Sequence, residues 1–242
     1  MLLAIMRHST CYGLKEGKIN GWLDYPLTDE AEEKIQIAAT KLKDTISGIR
    51  FDEAYSSYLS RTYFTAQKIL AKLHCSCEVV QDIRINERCY GAFQGMTRKE
   101  ARLDKNYETL SNYPVDVTKR LAPMSDEDYM KLVKEYSQKL NICYKDAMTI
   151  VPRSESIAEV EERIAEFLEE ILVRDNNKKN ILVVSHANTV KLMAKYIENL
   201  DYLQTSKLRF AECGLNIYDI QIKDNGSFFV NNIYRINDEY VG

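Results

Sequence analysis

Histidine side chains follow two apolar runs of the chain at nearly the same relative position. The run LLAIM, residues 2–6, leads directly into Arg7 and His8, and the run NILVV, residues 180–184, leads one residue later into His186. A neutral imidazole can attack phosphorus through one ring nitrogen when a backbone carbonyl holds the proton on the other. The equivalent positions of the two histidines therefore favour phosphoryl transfer over ordinary core histidines bonded to backbone.

Two further segments carry residue types that such a reaction needs. Arg61 follows the run EAYSS, residues 53–57, in the first turn of a predicted helix, where backbone N–H groups already favour an anion. Arginine donates to two phosphate oxygens at once and stays charged. Glu87 lies in INERCYGAFQG, and a carboxylic acid there could protonate a departing alkoxide. Arg7, Arg61 and His186 are therefore predicted to hold a phosphoryl group, with Glu87 as the acid.

A metal site is the alternative interpretation of the same side chains. His8, His186 and Glu87 are of types that bind zinc. The two arginines expected beside them would repel a cation. The sequence therefore predicts no metal here.

Alternating strands and helices must position these side chains. Apolar residues at helical spacing follow most of the short apolar runs. Such alternation predicts an α/β fold, a three-layer αβα arrangement with a mostly parallel central sheet, in which ligands bind beyond the carboxyl ends of the strands. The predicted strands are 2–6, 53–57, 77–80, 180–184, 214–220 and 227–236. One helix is predicted to begin at Thr28, and three further helices are predicted over 60–73, 154–172 and 188–200.

The block from about 97 to 150 interrupts this alternation. It contains no convincing strand, and helical patterns occur in TRKEARLDKNYETL, residues 97–110, and in SDEDYMKLVKEYSQKL, residues 125–140. We expect a helical insertion within a single domain that spans residues 1–242.

Composition narrows the class of partner. The 242 residues include 33 basic and 36 acidic side chains, so the net charge of −3 provides no overall field for nucleic acid or an anionic membrane surface. No apolar run approaches the roughly 18 residues of a membrane span. The six scattered cysteines are expected as free thiols, and the protein is expected in the cytoplasm.

Four motifs occur in an order and spacing that identify a family resemblance. The chain resembles the histidine phosphatase superfamily, and specifically its cofactor-dependent phosphoglycerate mutase branch. The motif R-H-G appears as Arg7, His8 and Ser9, S-x-L-x-R as Ser57, Leu59 and Arg61 with Thr65 after it, E-R-x-Y-G-x-x-Q-G as Glu87, Arg88, Tyr90, Gly91, Gln94 and Gly95, and H-G-N as His186, Ala187 and Asn188.

The resemblance implies a role for each matching residue. It makes His8 the phosphorylated residue, Glu87 the acid and base, and Arg7, Arg61 and His186 the phosphate clamp. It also implies 2,3-bisphosphoglycerate as phosphoryl primer, no metal, a small phosphorylated metabolite as substrate and a homo-oligomer. The residues that would contact substrate are Asn20, Gly21, Tyr90, Arg98 and Asn188, together with the basic pair Lys119 and Arg120 of the insertion, for which solvated surface charges are the equal alternative.

Three departures from the family pattern leave the reaction open. Ser9 and Ala187 replace glycines, and Leu14 replaces the asparagine of mutases. The first hypothesis is a mutase that interconverts 3- and 2-phosphoglycerate through phospho-His8. The second is a phosphatase that hydrolyses a small phosphomonoester, and the third is a non-catalytic module that binds a phosphate ligand.

Overall fold

A six-stranded mixed sheet forms the centre of the molecule. The computed structural model describes residues 1–104, 116–173, 179–223 and 226–238. Within them the strand order is β3-β2-β4-β1-β5-β6. The strands are β1 (Leu2–Arg7), β2 (Glu53–Ser56), β3 (Val79–Gln81), β4 (Ile181–Ser185), β5 (Phe210–Ile222) and β6 (Phe228–Asp238).

Strands β1 to β4 are parallel, whereas β5 and β6 are antiparallel. β1 pairs in parallel with β4 and antiparallel with β5, so it lies at the change of direction. β2 joins β4 and β3 in parallel, and β6 closes the other edge against β5. The predicted mostly parallel sheet is confirmed for the first four strands, while the last two form a hairpin.

The helices lie on both faces of the sheet. In chain order they are α1 (Tyr12–Lys15), α2 (Ala31–Thr45), α3 (Ser60–Lys72), α4 (Arg98–Ala101), α5 (Asp126–Leu140), α6 (Tyr144–Ile150), α7 (Ile157–Val173), α8 (Ala187–Glu198) and α9 (Tyr202–Lys207). The sequence patterns had not predicted α1, α6 or α9, which are short.

Strand β1 shows why the sheet is covered on both sides. Leu3 and Ile5 belong to a core cluster with α7 and α8, while Ala4 and Met6 belong to a second cluster with α2 and α3. Alternate residues of a strand point to opposite faces, so an uninterrupted apolar run requires two apolar layers. The predicted three-layer αβα arrangement is thereby confirmed.

Most element boundaries differ from the predictions by one to four residues, and two of the starting points illustrate this. Helix α2 begins at Ala31 rather than at Thr28, because Thr28 is occupied by the turn in which its carbonyl accepts from the Ala31 N–H. Strand β3 begins at Val79 rather than at residue 77, and it pairs only with Ala54 to Ser56 of β2. This strand forms one edge of the sheet and has three residues.

The helical block packs over the loop that follows β3. Helix α5 buries Tyr129, Leu132, Val133 and Tyr136 in a cluster with Trp22. The first predicted helix, 97–110, is confirmed over Arg98–Ala101 and ends there, because a turn follows at 102–103 and a bend at 104. The rest of that prediction, 105–110, lies outside the described residues.

The described ranges also bear on membrane spans and on the state of the cysteines. None of their helices combines the length and the apolar character needed to cross a bilayer. The six cysteines all fall within these ranges and all are free thiols.

Candidate active site

The two histidines meet because β1 and β4 are neighbouring parallel strands. Arg7 is in register with Ser185, and the His8 N–H donates to the Ser185 carbonyl at 2.9 Å. The chain leaves both strands at the same edge, so the rings of His8 and His186 lie with centroids 5.2 Å apart at 65°. The sheet therefore brings together residues almost 180 positions apart in the sequence.

His8 is held as a neutral imidazole with a defined tautomer. Its Nδ1 lies 2.6 Å from the Ser9 carbonyl, which can only accept, so Nδ1 carries the proton and Nε2 keeps its lone pair. Burial lowers the pKa of His8 well below 6.5, and the charges of Arg61 and Arg7 lower it further. An unprotonated Nε2 is the form that can act as a nucleophile.

His186 is fully buried and bonded to a serine at the end of β2. Its Nε2 lies 2.8 Å from Ser57 Oγ, which is itself fixed by the Leu59 N–H at 3.2 Å. Burial lowers the pKa of His186 well below its ordinary value, with Arg61 and His8 as further causes. Its Nδ1 is buried with no hydrogen-bond partner in the described chain.

Arg61 is fully buried at the start of α3 and is fixed by the loop after α1. Its Nη1 and Nη2 donate to the carbonyls of Leu23 and Gly21, each at 2.8 Å, and its Nε has no partner in the described chain. Gly21 has a φ of +51°, and a Cβ there would lie 2.0 Å from Gln94 Oε1. A glycine is therefore required at position 21 by conformation and by space.

Arg7 is anchored by the hairpin side of the sheet. Its Nη1 donates to the carbonyl of Phe210 at 2.8 Å, and its Nε is a buried donor without a partner among the described residues. Burial lowers the pKa of Arg7, but a guanidinium remains charged at neutral pH. Arg7 therefore supplies a fixed positive charge beside His8.

Glu87 lies in the loop after β3 and is 7% exposed. Its Oε1 accepts from the Arg88 N–H at 2.9 Å and from Asn188 Nδ2 at 3.3 Å. Asn188 also donates to the Tyr90 hydroxyl at 2.6 Å. The asparagine thus ties the carboxylate to the first turn of α8, next to His186.

These side chains surround one cleft of about 250 Å³. Of the twelve predicted site residues it brings together His8, Glu87, Arg7, Arg61, His186, Asn20, Gly21, Tyr90, Arg98 and Asn188. Lys119 and Arg120 do not line it. Both are exposed, and Arg120 forms an ion pair with Glu159 at the start of α7.

The cleft also contains residues that the sequence argument missed. They are Leu14, Lys18, Ile19, Ala187, Lys191, Arg209 and Phe210. Of these, Leu14 and Ala187 had been noted only as departures from a pattern. Lys191 had a usable signal, because it lies one helical turn after Asn188 and on the same face of α8. Arg209 had no such sequence signal, because only the path of the segment before β5 brings it to the cleft.

The two glycine replacements cause no backbone strain. Neither Ser9 nor Ala187 is among the described residues with positive φ. The Ser9 hydroxyl donates to the Ala31 carbonyl at 3.1 Å, so the side chain is directed to α2 and is not part of the cleft lining. Leu14, in contrast, places an apolar side chain in the lining.

The cleft has the electrostatics of an anion site. Among its described lining residues, Glu87 is the one carboxylate, and the cations are Arg7, Lys18, Arg61, Arg98, Lys191 and Arg209. Buried donors without a partner are rare because they cost free energy. The Nε–H groups of Arg7 and Arg61 fit an acceptor such as a phosphoryl oxygen. Within the described ranges, no group of three or more His, Cys, Asp or Glu side chains could hold a metal ion.

The chain belongs to the histidine phosphatase superfamily (branch 1), whose sequence profile matches residues 3–141 and 110–232. Members of this superfamily transfer or hydrolyse phosphoryl groups, and this chain is therefore an enzyme of that class. The predicted family is thereby confirmed.

Individual relatives agree with this assignment. The 2,3-bisphosphoglycerate-dependent phosphoglycerate mutase of Corynebacterium efficiens is 31% identical over 201 residues, which are 82% of this chain and 76% of that protein. Its namesake from Nautilia profundicola is 26% identical over 97% of this chain and 99% of its own length. A phosphoserine phosphatase from Entamoeba histolytica, solved in complex with 3-phosphoglyceric acid, is similar with a TM-score of 0.63 and 22% identity, covering 98% of both chains. This last likeness concerns the fold.

Proposed function

We propose that the protein transfers phosphoryl groups through a phosphohistidine at His8, as a 2,3-bisphosphoglycerate-dependent phosphoglycerate mutase that interconverts 3- and 2-phosphoglycerate. The observation that carries the proposal is the neutral imidazole of His8, with Nε2 unprotonated, in a cleft that also contains Arg7, Arg61, His186 and Glu87. The mutase relatives and the E-R-x-Y-G-x-x-Q-G loop support this choice within the family.

In the first half-reaction His8 is the nucleophile. Its Nε2 lone pair forms a bond to phosphorus while the bond from phosphorus to the substrate oxygen breaks. The Ser9 carbonyl, at 2.6 Å from Nδ1, orients the ring and stabilises the positive charge that develops on it. The phosphoryl group then resides on His8.

The clamp stabilises the phosphoryl oxygens during transfer. Arg7 and Arg61 supply fixed positive charge, and each guanidinium is oriented by backbone carbonyls before substrate arrives. His186 adds its Nδ1, which has no hydrogen-bond partner among the described residues. Donors that are already oriented cost little reorganisation in the transition state, which is the main source of such catalysis.

Glu87 exchanges the proton with the substrate oxygen. It protonates the alkoxide that leaves when phospho-His8 forms, and it removes the proton from the hydroxyl that takes the phosphoryl group back. Asn188 and Tyr90 hold the carboxylate in place. Asn20, Gly21 and Arg98 complete the proposed substrate contacts. A substrate contact by Lys119 or Arg120 stays a prediction, and neither residue lines the cleft.

A bisphosphate primer fits the charge of the cleft. Arg7, Arg61 and His186 would hold one phosphate of 2,3-bisphosphoglycerate, and the remaining cations of the lining offset the rest of its charge. When bound, this compound supplies the phosphoryl group that first loads His8. The small cavity volume, about 250 Å³, suits a metabolite of this size.

A phosphatase is the second candidate, and two observations favour it. Leu14 lines the cleft where the mutase pattern has an asparagine, and the basic pair of the insertion lies outside the cleft. Both differences weaken retention of a phosphoglycerate while the phosphoryl group moves between hydroxyls. Water would then take the phosphoryl group from His8.

Phosphorus NMR of the purified protein distinguishes the two. We would supply 3-phosphoglycerate with a trace of 2,3-bisphosphoglycerate and follow 2-phosphoglycerate and inorganic phosphate in the same spectra. The proposal predicts 2-phosphoglycerate with little phosphate, whereas accumulating phosphate would establish the phosphatase. His8→Ala should abolish both products, and His74→Gln, at an exposed histidine, is the matched control. Turnover by His8→Ala would contradict the phosphohistidine mechanism.

A further inference from the structure

Lys191 is a largely buried residue that has no individual role in the steps of phosphoryl transfer at His8. It lies in α8, and the residue is only 7% exposed. Its ammonium group makes no hydrogen bond or ion pair with any described residue, although it lines the cleft. The ammonium Nζ itself is accessible from the cleft. An accessible cation without a partner among the described residues can bind an anionic group that enters the cleft.

Arg209 lies at the same part of the cleft, in the connection between α9 and β5. Its Nη1 donates to the carbonyls of Ser206 and Leu208, at 2.5 and 2.8 Å, so the guanidinium is oriented by backbone. It forms no ion pair with a described carboxylate. The next residue, Phe210, accepts the hydrogen bond from Arg7. Arg209 therefore lies on the same side of the cleft as Arg7.

Electrostatic interactions place Lys191 among the same groups. Burial, together with the charges of Arg209 and Arg7, lowers the pKa of Lys191 to about 8, and the charge of Glu87 acts in the opposite direction. Lys191 also shares a face of α8 with Asn188, the residue that holds Glu87. The two cations thus adjoin the phosphoryl site without belonging to the clamp.

The remaining cations of the lining are less suited to this role. Lys18 is already paired with Glu16, and Arg98 is exposed at the start of α4. The insertion pair Lys119 and Arg120 lies outside the cleft.

We propose that Lys191 and Arg209 form a second anion subsite, which binds the anionic group of the substrate that is not transferred. The substrate class is accordingly a short phosphomonoester with a carboxylate or a second phosphate. The inference rests on the proposed phosphoryl transfer at His8. Recognition of this second anionic group was expected from Lys119 and Arg120 of the insertion. The inference assigns it instead to Lys191 of α8 and to Arg209, which precedes β5.

Equilibrium binding tests the subsite without turnover when every protein compared, including the one taken as wild type, carries His8→Ala and so cannot accept a phosphoryl group. We would measure dissociation constants by calorimetry for glycerol 3-phosphate, which has no second anionic group, for 3-phosphoglycerate, which adds a carboxylate, and for 2,3-bisphosphoglycerate, which adds a second phosphate as well. The wild-type protein should bind the last two at least about tenfold more tightly than the first. Comparison of those two ligands shows whether carboxylate or phosphate is preferred.

Substitutions assign the selectivity to the two residues. Lys191→Met and Arg209→Gln should each remove most of the preference and leave the affinity for glycerol 3-phosphate within about threefold. Lys191→Arg should retain the preference. Lys195→Met is the matched control, since Lys195 lies one turn further along α8 and pairs with Glu161. Because Lys191 makes no hydrogen bond or ion pair with a described residue, Lys191→Met should not lower Tm.

The outcomes separate this inference from the proposed function. A wild-type protein without preference, or a preference that survives both substitutions, would overturn the subsite even if phosphohistidine is detected. A preference that depends on Lys191 and Arg209 would support it even if His8 is never phosphorylated, in which case only the proposed function fails. Equal weakening of all three ligands by Lys191→Met would indicate a general structural role and also contradict the subsite.

Discussion

At the scale of single residues, the environment decides what each titratable group can do. His8 and His186 carry the same side chain as His74, but both are buried beside arginines, whereas His74 is exposed. Burial and neighbouring positive charge disfavour the imidazolium form. Both histidines are therefore neutral, and Nε2 of His8 keeps its lone pair.

The lowered pKa values of the two histidines predict a pH dependence of stability. Below the ordinary value of 6.5, the unfolded chain takes up protons that folded His8 and His186 resist. The free energy of unfolding should therefore fall as the pH drops below about 6.5, by at most about 1.4 kcal/mol per pH unit for each histidine. Above that pH both states are neutral at these sites, and this contribution vanishes.

Urea denaturation between about pH 8 and 5 measures this slope. Replacement of both buried histidines by asparagine should reduce it, while His74→Gln should leave it unchanged. Inorganic phosphate should also flatten it, because a bound dianion offsets the arginine charges and raises both pKa values. A slope that is identical in wild-type protein and the double variant would contradict the assignment.

The contribution of Glu87 to the rate of phosphoryl transfer should increase with the basicity of the leaving group. Glu87→Gln keeps the hydrogen-bonding shape but cannot exchange a proton, so transfer from a phosphoglycerate should slow by about 10² to 10⁴-fold. p-Nitrophenolate leaves without protonation, and the burst that accompanies loading of His8 from p-nitrophenyl phosphate should change far less. Rapid-mixing kinetics with both compounds measures the difference. Equal slowing would exclude Glu87 as the acid.

At the scale of secondary structure elements, a single arginine of α7 organises the loop that carries Glu87. Arg163 donates to the carbonyls of Arg84, Asn86 and Glu87 at 2.6 to 3.1 Å. It is held in turn by Glu155, whose Oε1 accepts from Arg163 Nε at 2.8 Å. Carbonyls that belong to no regular element are thereby satisfied, and the loop is fixed to α7.

Arg163→Met should displace the Glu87 carboxylate without touching the cleft. The substitution leaves the Arg84 carbonyl and Glu155 Oε1 without their donor, while Asn86, Glu87 and Glu155 Oε2 keep one donor each from Thr189, Trp22 and Cys89. We therefore expect a loss of about 3 kcal/mol in the free energy of unfolding, mainly from the broken ion pair. In protein that remains folded, the rate of transfer should fall more with phosphoglycerate than with p-nitrophenyl phosphate. Arg153→Met removes a surface ion pair with Asp126 and is the control. Unchanged leaving-group dependence would show that the loop holds its position without Arg163.

At the scale of the whole molecule, charge is unevenly distributed. The chain has a net charge of −3, yet the cleft lining is strongly cationic. A concave site of one charge sign concentrates field lines and draws in oppositely charged ligands even when the protein as a whole repels them. That the protein forms a homo-oligomer and binds no nucleic acid stays a prediction from the sequence.

Ionic strength should therefore act on substrate capture. The value of kcat/KM for a phosphoglycerate should decrease as sodium chloride is raised from about 0.01 to 0.5 M, because the Debye length shortens from about 30 Å to a few ångströms. The decrease should be shallower for Lys191→Met, which has one cation fewer in the cleft. Steady-state kinetics at constant pH measures both slopes. A kcat/KM independent of salt would contradict electrostatic capture.

The sequence by itself determined the family, the layered fold and the positions of His8, Arg7, Arg61, His186 and Glu87 along the chain. These follow from short-range patterns, since an uninterrupted apolar run marks a strand covered on both faces and the residues after it lie at the carboxyl edge. The adjacency of the two histidines was predictable for the same reason, because parallel strands end together.

Only the tertiary structure decided which cations share the cleft and which form of His8 is present. Lys191 and Arg209 lie in the lining and Lys119 and Arg120 do not. That difference depends on how α8 packs on the sheet and where the chain runs before β5. The tautomer of His8 likewise depends on the direction of one carbonyl, that of Ser9. A charge pattern along the chain does not specify such distances, because packing between elements sets them.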